Sequence, residues 1–167
     1  MKPKLTKLLK NPGFYIASST VIICILALTI ILINFFGPQK LGKGSIDGVK
    51  IDYGKSYIYS KKDMSRAIDV ILQRFEQDYE GCTLYNIRYD SDKSNNEETL
   101  KWLKELAAAQ NIDVELTECI KFYSDFHTSD KLGKDSTFEK NKDYKNWQWY
   151  LASGEGTQWY LLSWGYG

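Results

Sequence analysis

Histidine occurs once in this chain, cysteine three times and proline three times. One histidine is too few for a histidine-rich metal site, and three cysteines are too few for a miniprotein built on disulfides. Charge of one sign is lacking as well, with 22 basic residues against 21 acidic ones and a net charge of +1. A dedicated nucleic-acid binder is normally strongly basic, so nucleic acid is not an expected partner. What the chain does have is aromatic surface: five tryptophans, twelve tyrosines and seven phenylalanines among 167 residues. That much apolar area excludes a disordered protein, and the length suits one ordinary domain with an attachment.

The near-neutral charge hides an asymmetry. Lys2, Lys4, Lys7 and Lys10 precede the first apolar stretch, and all 21 acids follow it. Phe14 to Phe36 carries no charge at all. At about 1.5 Å per helical residue the run reaches roughly 34 Å, enough to cross a hydrocarbon core of about 30 Å with some tilt. Phe14, Tyr15, Phe35 and Phe36 stand at its two ends, where the membrane interface favours aromatics, and Gly37-Pro38 then stops a helix. A cleavable signal peptide has a shorter apolar core and a small-x-small cleavage site, which Asn34-Phe35-Phe36-Gly37-Pro38 does not offer. Ile23 precedes Cys24 where lipid attachment wants a small residue, and Ser18 stands where a prepilin has glutamate. The expectation is an uncleaved single-pass anchor in the cell membrane. Residues 1–13 form a basic cytoplasmic tail, 14–36 a transmembrane helix, 37–48 a glycine-rich linker, and 49–167 an extracytoplasmic domain.

Ser60 and Asp63 make an S-x-x-D capping pair, after which Met64, Ala67, Ile68, Ile71, Leu72, Phe75 and Tyr79 recur at helical spacing up to Gly81. Residues 82–90 alternate as a strand whose phase slips between Leu84 and Ile87. Ser94 and Glu97 suggest a second cap, opening a helix through about Ala109. Ile112, Val114, Leu116, Ile120, Phe122 and Phe126 share one parity over a long strand, and so do Trp147, Trp149 and Leu151 in the next. Gly154-Glu155-Gly156 reads as a hairpin turn into a last strand, Trp159 to Tyr166. Residues 128–142 are polar and read as a long mobile loop. The predicted fold class is α+β, with helices covering one face of a curved antiparallel sheet.

This order of elements, ending in Trp159-x-Leu161-x-x-Trp164-Gly165, resembles the nuclear transport factor 2-like (cystatin-like cone) superfamily. More narrowly, Tyr59-Ser60 with Asp63, Gly81-Cys82-Thr83-Leu84, Ser124-Asp125-Phe126, Lys145-Asn146-Trp147-Gln148-Trp149 and the terminal Trp164-Gly165-Tyr166-Gly167 resemble a family of membrane-anchored proteins and lipoproteins of Gram-positive bacteria. The likeness covers about residues 57–167. Its motifs are structural, so it implies a fold and a compartment without implying a reaction. The chain departs from the family in carrying a transmembrane anchor where the lipoproteins have a lipid-attachment cysteine.

No catalytic residue, cofactor site or metal site is expected. Ser124, Asp125 and His127 invite a triad reading, but neighbours on a strand face opposite ways and His127 sits beside a polar loop. Asp130, Asp135 and Glu139 around Gly133 lack the alternate spacing of a calcium loop. Lys140, Lys142 and Lys145 beside Trp147 and Trp149 suit an anionic cell-wall polymer, yet Glu139 and Asp143 dilute the charge. Cys82 and Cys119 differ in strand phase and are expected as free thiols. Glu118 is the one residue out of pattern, because it shares parity with Ile120 and Phe122. Three readings stand for it: a bulge near Thr117 returns it to solvent, a buried partner holds it, or it is a ligand-binding acid inside the cone. The functional expectation is a membrane-tethered extracytoplasmic binding or interaction domain, its partners being the lipid bilayer and envelope proteins or cell-wall polymer. An assembly subunit of an envelope or type IV secretion-like machine is the alternative. A small-molecule enzyme using the cone interior comes third.

Overall fold

The computed structural model describes residues 43–134, 136–154 and 158–166. The apolar run 14–36, on which the expected anchor rests, lies outside them. Among the described residues no helix is long and apolar enough to cross a membrane.

The elements run β1 (Lys50–Asp52), α1 (Lys61–Asp78), β2 (Cys82–Tyr89), a single 3₁₀ turn (Asp92–Ser94), α2 (Glu97–Ala109), β3 (Leu116–Thr128), β4 (Asp143–Gly154) and β5 (Trp159–Gly165). The fold is α+β, a curved five-stranded sheet with two helices. Spatial order follows chain order, β1-β2-β3-β4-β5. Every pairing is antiparallel except that of β1, which runs parallel to β2 and makes the sheet mixed. A strand of three residues is too short to leave a periodic trace in the sequence.

The start of α1 is fixed by its capping box. Ser60 Oγ accepts from the Asp63 amide at 3.2 Å, and Asp63 Oδ2 accepts from the Ser60 amide at 3.1 Å. Both donors are among those a helix N-terminus leaves unpaired. The face bearing Met64, Ala67, Ile68, Ile71 and Phe75 is buried against Leu84, Ile87, Phe122, Phe126, Trp149 and Leu151. Full burial of one such side chain stabilises by about 1.5–3 kcal/mol relative to exposure.

The second helix departs from expectation twice. Its N-cap is Asn96, whose side chain accepts from the Thr99 amide at 2.9 Å, rather than Ser94. Ser94 is buried in the 3₁₀ turn, where its hydroxyl donates to the Ser91 carbonyl, and Asn95 Oδ1 accepts from the Cys119 amide. Three adjacent short polar residues were all competent caps; the 3₁₀ turn claimed Ser94 and a contact with β3 claimed Asn95. Helix α2 also does not share the α1 face of the sheet. Leu103 and Ala107 pack with Leu116, Cys119, Ala152 and Leu162, whose strand neighbours Ile120, Leu151 and Leu161 lie in the other core. The sheet is therefore covered by one helix on each face.

Bulges make this possible. Leu116 pairs with Gly154 and Glu118 with Ser153, so Thr117 is the extra residue, and Leu116 turns toward α2 while Ile120 faces α1. A second irregularity, between Leu84 and Asn86, accounts for the phase slip in β2 and leaves Tyr85 exposed. Strand β3 begins at Leu116 rather than Ile112, because the Ile112 amide closes the end of α2 by donating to the Ala107 carbonyl.

Candidate functional site

The last turn of α1 leads into a cleft on the surface of the domain. Tyr79 caps the helix, its amide donating to the Phe75 carbonyl at 3.1 Å. Two residues on, Gly81 takes φ 77°, and a Cβ there would lie 2.1 Å from the Lys131 carbonyl oxygen. Only glycine lets the chain turn this way with the 129–134 segment lying on it. The Ser129 amide then donates to the Gly81 carbonyl at 2.8 Å.

The segment after β3, expected to be mobile, is tied down. Thr128 Oγ1 donates to the Glu139 carbonyl at 2.6 Å and accepts from the Lys142 amide at 3.0 Å. Phe138 packs on Tyr79, Phe126, Tyr144 and Trp147, with ring centroids 5.1–5.5 Å apart. A lone aromatic inside a polar run was the available signal for this, and it anchors the loop as an apolar plug.

Between that loop and the end of α1 lies a cleft of about 750 Å³. Tyr79, Phe138 and Trp147 supply its aromatic lining, Glu80 and Lys134 lie on its polar side, and Trp164 stands at one end. Tyr79 is 3% exposed, stacked on Phe75 at 4.5 Å. Burial pushes its phenol far above the ordinary tyrosine range, and the nearby Trp147 indole offsets this only in part. The two groups are close without being aligned as a hydrogen bond. Among the described residues, both Tyr79 Oη and Trp147 Nε1 are buried with no partner. Buried polar groups are paired in the great majority of cases, so an indole N–H that can only donate and a hydroxyl that donates or accepts, both unpaired in one cleft lining, mark it as a candidate binding site. A second cleft of about 460 Å³ shares Gln77 and Trp164 with the first and continues between α1 and β5. Arg74 lies over the Trp164 ring at 4.4 Å, with its Nε 2.7 Å from Asp78 Oδ2.

Comparison of the chain with family models, with curated proteins and with solved structures gives no match.

The residues singled out from the sequence fall elsewhere. Glu118 stays on the α1 face despite the bulge at Thr117, and it is Leu116 that the bulge re-aims. The Glu118 carboxyl is partly buried and has no hydrogen bond or ion pair among the described residues. Burial raises its pKa, the nearby Asp63 carboxylate raises it further, and Arg66 opposes both. Ser124, Asp125 and His127 do not converge. Ser124 is buried and accepts from the Trp149 indole at 2.8 Å, while Asp125 faces the other way and pairs with Arg88 at 3.3 Å. His127 lies at the end of β3 beside the loop, with Nδ1 2.8 Å from Asp143 Oδ1 and its ring stacked on Tyr85. Lys142 pairs with Glu139, and Trp149 is fully buried, so the basic and aromatic residues of that stretch do not form one patch. Asp135 lies outside the described residues, among which no group of three acidic, cysteine or histidine side chains is placed to hold a metal. Cys82 and Cys119 are free, buried in different cores on opposite faces of the sheet.

Proposed function

We propose that this chain is a non-catalytic binding domain tethered to a membrane and displayed outside the cytoplasm, and that the cleft at the end of α1 is its ligand site. One observation carries the site: Tyr79 and Trp147 both line the cleft, and among the described residues Tyr79 Oη and Trp147 Nε1 are buried with no hydrogen-bond partner. A fold that desolvates two donors and leaves them unpaired sacrifices stability unless a ligand completes them. The tether is supported by the charge-free run 14–36 and the four lysines before it. Kinship with the cone superfamily is supported by α1 lying against long bulged strands, while α2 on the opposite face departs from that pattern.

Amide hydrogen exchange on the full chain tests the site. Peptides covering 77–81 and 131–138 should exchange more slowly in native envelopes than in the purified chain, with α2 unchanged. Equal exchange in the two settings would remove the cleft as the ligand site. Protease added to intact cells should remove everything after about Gly37, and a domain resistant until the cells are lysed would contradict the outward display.

A further inference from the structure

We propose that the cleft and its continuation along α1 bind a neutral, linear oligosaccharide; this rests on the binding reading above and names its ligand class. Shape comes first. The two hollows, of about 750 and 460 Å³, meet at Gln77 and Trp164, so the site extends past a single ring-sized ligand.

Charge comes second. Asp78 is already paired with Arg74, and among the described residues the remaining ionic groups on the lining, Glu80 and Lys134, are of opposite sign. A polyanion would meet the Glu80 carboxylate, and a polycation would meet Lys134. Neither charged polymer is favoured by such a lining.

Hydrogen-bonding chemistry comes third. The Trp147 indole N–H can only donate and the Tyr79 hydroxyl beside it can donate or accept, and neither has a partner among the described residues. Glu80 can only accept, so the same ligand must donate as well. The second hollow is lined by Gln73, Gln77 and Gln158, whose amides do both. A ligand rich in hydroxyls answers every one of these groups, since each hydroxyl donates one proton and offers two lone pairs. Aromatic rings complete the match. Trp164 is 38% exposed, with Arg74 on one face, and the negative face of such a ring attracts the weakly positive C–H edges of a sugar. An extended peptide adding to the edge strand is disfavoured, because Gln110 Nε2 already donates to the Leu162 carbonyl of β5 at 3.1 Å.

The test is a titration of ¹⁵N-labelled full chain, kept in a detergent without a sugar headgroup. Its five tryptophans give five indole N–H signals. Trp147 and Trp164 are assigned through Trp147→Phe and Trp164→Phe. Chitotetraose or cellotetraose should shift both signals saturably and leave Trp102, which lies on α2, unmoved. Trp164→Ala should weaken binding by about tenfold or more, as loss of an aromatic anchor does, with an unchanged amide spectrum elsewhere. If poly(glycerol phosphate) or a mixed hexapeptide pool moves Trp147 and the sugars do not, the oligosaccharide assignment falls and the binding reading stands. If none of the probes moves it, both fall.

Discussion

Replacing Tyr79 by phenylalanine isolates the unpaired hydroxyl from everything else the side chain does. The ring stays, and with it the stack on Phe75, the edge contact to Phe126 at 5.6 Å and the tilted contact to Phe138 at 5.5 Å. The helix cap stays too, since it uses the main-chain amide. Only the Oη atom goes, buried and without a partner. An unsatisfied buried polar group costs about 1–3 kcal/mol, and the nearby indole reduces that figure, so Tyr79→Phe should stabilise the domain by about 1 kcal/mol. For a domain of this size the midpoint should rise by about 3–5 °C. Urea melts of the full chain, followed by tryptophan emission, give the free-energy difference directly. Ligand binding, in contrast, should weaken. A variant that gains stability while losing affinity marks a residue kept for function rather than for folding. A loss of about 1 kcal/mol would show that the hydroxyl is paired in the free protein, and the argument for the cleft would then collapse.

Four further outcomes are expected. Alkylation without reductant, followed by intact mass, should find Cys82 and Cys119 both modifiable after unfolding, because they lie in different cores; a bridged pair would contradict the fold. In the native state Cys82 should react slowly, since burial pushes its thiol up to about 11 and little thiolate exists at neutral pH. Glu118 binds its proton more tightly folded than unfolded, so stability should fall slightly as pH rises above the usual carboxylate range; Glu118→Gln should flatten that slope and gain well under 1 kcal/mol in pH-dependent melts. Asp92 behaves in the opposite sense: the Ser56 hydroxyl, the Tyr57 amide and the Tyr89 hydroxyl all donate to it and hold its pKa down. Its contribution is present above the ordinary carboxylate range and disappears as pH falls through its lowered pKa, and Asp92→Asn should speed amide exchange at Tyr57 at neutral pH.

Local rules made the first helix legible, because Ser60, Asp63 and a regular apolar stripe all point to one answer. The phase slip after Leu84 was visible as a slip, and its cause is the bulge at Tyr85. The placement of α2 was not legible. Its apolar stripe says that a face is buried, and nothing in it says which side of the sheet does the burying; that is decided by the bulge at Thr117, through which Leu116 and Cys119 share one face. Glu118 keeps the phase of Ile120 and Phe122, which lie on its own side of that bulge, and it is Leu116, across the bulge, whose parity misleads. The cleft was hidden for a different reason. Tyr79 reads as the last core position of a helix, which it is, and only the three-dimensional account of donors and acceptors shows that its hydroxyl is left over.

The N-terminal entry to the domain has a mechanical consequence. The Gly44 amide donates to the Glu76 carbonyl, and a Cβ at Gly44 would lie 2.3 Å from the Phe75 carbonyl oxygen, so the chain is pressed onto the last turn of α1. Ser45 then exchanges hydrogen bonds with Cys82 and Leu84 at 2.8 Å each, and β1 continues alongside β2. Tension applied through residue 43 is therefore borne by several main-chain bonds at once rather than by one that peels at a time. The turn that takes the first share of that load is the one that leads into Tyr79, so a pull on the chain bears on the same few residues that line the cleft.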